Sequence, residues 1–104
     1  MRIVRFHPAA AEEAEAAADW YNSEKLGLGE DFAKELIGVI ALLRQFPIPS
    51  VPHPYTSRRT KIQRLLMRRF PYDVVFIVRD EVALIIAVAH QSRRPGYWKS
   101  RLRT

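Results

Sequence analysis

Two apolar runs in the second half of the chain, VVFIV at 74–78 and VALIIAVA at 82–89, constrain the fold more than any other feature. Both are rich in β-branched and aromatic residues, and the strands they imply, Tyr72 to Arg79 and Val82 to His90, are linked through Asp80-Glu81 alone. So short a link makes the two strands antiparallel neighbours. The runs are almost unbroken rather than alternating, so both faces of the sheet must be at least partly covered. A third strand is expected over Lys61 to Arg69, set off from the next by Phe70-Pro71, which completes an antiparallel meander.

The cover has to come from the first half. Arg2 to Phe6 reads as a short opening strand, and Pro8 suits a first helical turn because its missing N–H is not needed there. From Ala9 to about Ser23, Ala10, Ala14, Ala17 and Tyr21 share one face, while Glu12, Glu13 and Asp19 form an acidic side. Gly27 and Gly29 interrupt the pattern. From Glu30, Phe32, Leu36, Val39, Ile40 and Leu43 then recur at helical spacing until Pro47. Two helices so closely linked form an antiparallel hairpin. The stretch FPIPSVPHPYTSRR, with Pro47, Pro49, Pro52 and Pro54, reads as a loop, because proline denies backbone donors to a helix or sheet.

The expected fold class is therefore α+β: an N-terminal strand, an antiparallel helical hairpin, a three-stranded antiparallel meander and a short basic tail. At 104 residues it should be one domain, residues 1–104. With no cysteine, disulfides, zinc-thiolate sites and thiol nucleophiles are excluded. The N-terminal alanines are interrupted by Glu12, Glu13, Glu15 and Asp19, unlike the apolar core of a secretion signal. The longest strongly apolar run is eight residues, against the roughly 20 that a helix needs to span a bilayer. A soluble protein of the cytoplasm is expected, with no membrane association. His7 and His53 lie beside prolines without metal-ligand spacing and read as surface or capping residues, so no metal or cofactor is expected. Ser57 and Ser92 lack a nucleophile-elbow context.

Charge is segregated. Residues 1–50 hold five Lys/Arg against eight Asp/Glu, residues 51–104 twelve against three, and the whole chain carries +6. Such a basic half implies an anionic partner, either nucleic acid or an acidic protein segment. A plain nucleic-acid-binding module would rest on charge alone, with neither an aromatic platform nor a recognition helix to support it.

The order β-α-α-β-β-β, the segment RRFPYDVVFIV, the strand ALIIAVAH and the closing RRPGYWKSRL together resemble the ParE/RelE superfamily of type II toxin-antitoxin toxins, the plasmid-stabilisation type. The most specific part is the Phe70-Pro71-Tyr72 turn, followed by His90, then Arg93-Arg94-Pro95 and Tyr97-Trp98. The resemblance implies a curved sheet packed on the helical hairpin. It also implies a cognate antitoxin, whose acidic or amphipathic disordered segment would wrap the toxin in a hetero-oligomer and mask its positive charge.

Members of this superfamily either cleave messenger RNA on the ribosome or poison DNA gyrase without catalysing a reaction. Metal-free RNA cleavage needs a base, an acid and cations around the phosphorane. Lys61, Arg64, Arg68, Arg69, Arg93 and Tyr97 are the residues that could supply them. Two departures weigh against it: Asp73 stands after Tyr72 where RNA-cleaving relatives tend to carry an arginine, and Gln91 follows His90 where an arginine would serve. An anion at 73 would repel a phosphate. His90 could act as a base near neutral pH, but at the end of a core strand a hydrogen-bonded structural role is favoured. Gyrase inhibition is thus the favoured reading, with ribosome-dependent mRNA cleavage the alternative and a silent member that only binds antitoxin a third. The target-binding candidates are Arg64, Arg68, His90, Arg93, Arg94, Tyr97, Trp98, Lys99 and Arg101, within a basic stretch running to Arg103. Trp98 has two readings, a contact residue or a pin holding the tail to the sheet. Trp20 and Tyr21 are expected in or beside the hairpin.

Overall fold

The computed structural model describes residues 2–45, 51–57 and 59–103. The proline-loop expectation for residues 46–50 lies outside them. The element order is β1 (Ile3–Phe6), α1 (Pro8–Glu24), α2 (Leu28–Leu43), β2 (Val51–Pro52), β3 (Gln63–Leu66), β4 (Tyr72–Arg79), β5 (Val82–His90) and a 3₁₀ helix (Lys99–Arg103). The protein is α+β, with a five-stranded mixed sheet in the order β1-β5-β4-β3-β2. The β3-β4-β5 meander is antiparallel, as the short links require.

Two features extend the sheet beyond that meander. β1 lies along the far edge of β5 in parallel, with Ile3 opposite Val82 and Phe6 opposite Ile85. The proline segment contributes β2, where Val51 and Pro52 pair with Arg64 and Gln63. That strand departs from the expected plain loop. Pro52 is tolerated because β2 is an outer edge, where one N–H of each pair of residues faces away from the sheet.

α1 begins where Pro8 predicts, and the His7 side chain caps it by accepting from the Ala9 N–H at 3.1 Å. α2 stops at Leu43, four residues short of Pro47. The carbonyls of Ala41 and Leu42 are already taken by tight turns from Arg44 and Gln45. Gly27 turns the chain between the helices in the left-handed conformation, at φ 92°. Gly29 does something else: it lies inside α2, buried, and its N–H donates to the Asn22 side chain at 2.8 Å. A β-carbon there would sit 2.3 Å from the Ala18 carbonyl oxygen. The missing side chain is what lets the two helices touch.

The sheet has a different cover on each face. Against the helical hairpin pack Ala10, Ala17, Phe32, Leu36, Val39 and Leu43 with Leu65, Val74, Phe76, Ile85 and Val88. Tyr21 joins this layer through stacked and edge contacts to Phe32, Phe70 and Tyr72. On the second face, Ile62, Val75, Ile77, Ile86, Ala87 and Ala89 are covered by Trp98, with Tyr97 and Leu102 beside it. A bulge at Ile86 breaks the register between Val75 and Phe76, leaving Ile86 and Ala87 on the same face. Both faces are therefore covered, which explains the unbroken apolar runs. The tail provides the second cover.

The Gly29→Ala variant should lose about 1–3 kcal/mol of stability through overpacking, read as a lower urea midpoint with an unchanged m-value. Gly38, whose β-carbon would meet open space, should tolerate alanine or be stabilised by it.

Candidate functional site

β5 needs partners along both edges. β4 serves one edge throughout, whereas β1 ends at Phe6 and serves only the first half of the other. His7 makes the last strand-like bond, donating its N–H to the Ile85 carbonyl at 2.9 Å. Beyond that point side chains take over. The Glu13 carboxylate of α1 accepts from the Val88 N–H at 3.1 Å, and the Arg101 guanidinium donates to the Ile86 carbonyl at 2.9 Å.

These two side chains also bind each other. Arg101 donates to both Glu13 oxygens, at 2.8 and 3.0 Å, a bidentate geometry suited to a planar guanidinium. Tyr97 adds its hydroxyl to Glu13 at 2.5 Å. Glu13 and Arg101 side chains are each only 16% exposed. α1 packs on one face of the sheet and the tail on the other. The cluster therefore closes over the edge of β5 and ties the two covers together.

The charges respond accordingly. Burial works to raise the Glu13 pKa, but the hydrogen bonds from Arg101, Tyr97 and Val88 outweigh it and hold the carboxyl below its ordinary value. Tyr97 is driven well above the ordinary phenol range, first by burial and then by its bond to Glu13. It stays a neutral donor. Arg93 lies 3.9 Å from the Tyr97 ring centroid, a cation-π contact that extends the cluster to the surface.

A second group gathers on the tail-covered face. Arg64 pairs with Asp73 at 3.4 Å, and Gln91 donates to the other Asp73 oxygen at 3.1 Å. Thus the two residues that depart from the RNA-cleaving pattern close a network with each other and with Arg64. The Arg64 Nε is buried with no hydrogen-bond partner. His53, expected at the surface, is instead only 7% exposed. Its ring meets the edge of Trp98, and its Nδ1 accepts from the Tyr55 N–H at 3.1 Å. Burial first, then the charges of Arg64 and Lys99, lower its pKa, with Asp73 opposing.

The remaining expected residues are dispersed. Arg68 and Arg69 sit in the β3-β4 turn against α2, where their N–H groups donate to Glu35 and Arg69 pairs with Asp31 at 3.5 Å. The structure therefore does not bring Arg68 together with Arg64. Lys61 is exposed. Lys99 lies over the Tyr55 ring at 3.8 Å. Arg94 is exposed beside Arg93. Trp98 takes the pinning role and not that of a surface contact, being 1% exposed. The His90 ring has its Nδ1 held by the Ser92 N–H at 3.0 Å and faces Tyr72 edge-on, as a structural residue would.

Glu13 belongs to the acidic side of α1 by composition, yet it stands three residues after Ala10 and four before Ala17, both buried, and so falls beside the packed face. A carboxylate on that spacing needs a cation, which was the available signal.

Replacing Glu13 by Gln removes the charge while leaving Arg101 and Tyr97 half-buried, and should cost about 2 kcal/mol. A depressed folded-state pKa gives stability that is full above the unfolded carboxylate range and is lost as pH falls through the folded value. Urea midpoints between pH 7 and pH 3 should therefore fall less steeply in Glu13→Gln than in the wild type.

Comparison with known proteins follows the same outline. The structure superposes on a chain described as "Chromosomal ParDE TA system from P. aeruginosa" with a TM-score of 0.63 at 19% identity, covering 86% of this chain and 96% of that one. No curated protein sequence matches the chain. The family model for the ParE toxin of the type II toxin-antitoxin system parDE matches residues 4–95. The chain belongs to the ParE toxin family.

Proposed function

We propose that this ParE-family toxin inhibits DNA gyrase without catalysing a reaction, and that a cognate antitoxin neutralises it in a toxin-antitoxin hetero-oligomer. The observation that carries the reading is the engagement of the groups RNA cleavage would use. Arg64 is committed to Asp73, and the Tyr97 hydroxyl donates to Glu13. A general acid or base must give up or take a proton near neutral pH. Tyr97, with its pKa pushed up and its proton directed at a carboxylate, is poorly placed to do so. Arg64 pairs with Asp73 on the tail-covered face, whereas Arg68 and Arg69 lie in the β3-β4 turn against α2, so these three cations are not gathered around one phosphate.

What the tail offers instead is a surface. Arg93, Arg94 and Lys99 are exposed on a segment anchored by Trp98 and by the Glu13–Arg101 pair. Anchoring gives these cations fixed positions, which lowers the entropy lost on meeting a protein or a gyrase-bound DNA. A target in the cytoplasm suits a chain without cysteine. Among the described residues no helix is long and apolar enough to cross a membrane.

The purified toxin should block gyrase supercoiling of plasmid DNA, and the Arg93→Ala/Arg94→Ala double variant should lose at least tenfold in potency with an unchanged melting temperature. Unaltered supercoiling at toxin excess, together with cleavage of messenger RNA on ribosomes, would move this chain to the RNA-cleaving reading.

A further inference from the structure

Between α1 and the end of β5 lies an open cleft of about 390 Å³. It occupies the place where β1 would run had it continued past Phe6. Ala16, Trp20 and Tyr21 form the helical wall, Tyr72 and His90 the floor, and Arg93 the opposite rim. Trp20 is 56% exposed although its neighbour Tyr21 is packed in the aromatic layer. The exposed indole extends the apolar lining of the cleft and carries an N–H that a partner can engage.

The charges around the cleft decide what it accepts. Glu13 at its base is already matched by Arg101. The outer face of α1 carries the exposed acids Glu12, Glu15 and Asp19, which repel a carboxylate on that side. Arg93 and Arg94 stand on the other side, both exposed. The Arg93 guanidinium is steadied over the Tyr97 ring and makes no ion pair among the described residues. A segment seated here must therefore put an apolar side chain into the cleft and its carboxylate toward Arg93, and the reverse orientation is disfavoured at both walls.

We infer that this cleft seats an apolar anchor residue of the antitoxin, with an acidic residue of the same segment on Arg93. The inference rests on the toxin-antitoxin reading and adds where neutralisation acts. Occupation of the cleft covers Arg93, a residue assigned above to the gyrase-facing surface, so one contact both binds the antitoxin and removes a cation from the target surface.

The test uses the full-length toxin and the purified product of the reading frame adjoining its gene. Binding is measured by calorimetry, with ¹⁵N–¹H spectra of the toxin recorded in parallel. Binding should shift the Trp20 indole N–H and the His90 amide, and Ala16→Arg, an exposed helical position that crowds the cleft, should weaken affinity at least tenfold with an unchanged melting temperature. Arg93→Ala should weaken it too. Tight binding that leaves Trp20 and His90 unmoved and is indifferent to Ala16→Arg overturns the cleft assignment while keeping the toxin-antitoxin pairing. Absence of any binding overturns both.

Discussion

A strand buried in the middle of a sheet must satisfy the hydrogen-bonding groups of both its edges, and in this protein β5 meets that demand in two ways. Its first half is paired by β1 in parallel, and its second half is capped at Val88 and Ile86 by Glu13 and Arg101. An uncapped N–H or C=O in that position would cost on the order of 1–3 kcal/mol. Because the capping side chains come from α1 on one face and the tail on the other, satisfying the edge also fixes both covers. The placement of Tyr97, Trp98 and Arg93 follows from that joint closure.

The same closure engages the Tyr97 hydroxyl, which donates to Glu13, and on the tail-covered face Arg64 is likewise paired with Asp73. Asp73 accepts from Gln91 as well as pairing with Arg64, so the three side chains form an internally matched set. Among the described residues, Arg93, Arg94 and Lys99 of the tail are exposed and make no ion pair with a carboxylate, a distribution suited to recognition.

Much of the architecture could be read in advance because it depends on local pattern. Pro8 marks the start of α1, the Ala10, Ala14, Ala17 and Tyr21 spacing gives its packed face, and the Asp80-Glu81 link forces β4 and β5 antiparallel. Short-range rules failed where a contact between distant segments was decisive. Gly29 is a helix-helix contact and no simple break, α2 ends before Pro47, and Pro52 is recruited into an edge strand. His53 is buried because the tail, some forty residues on, lays Trp98 against it.

The α+β class, the helical hairpin, the meander, the segregation of charge and the family are legible along the chain, since periodicity, turn chemistry and motif order are properties of neighbouring residues. Which charges are matched and which stay exposed depends on how distant segments meet. Glu13 and Arg101 are 88 positions apart, and no local pattern couples them. They meet because β1 is too short to cover β5, which leaves an edge that an acid from the first helix and a base from the tail together close.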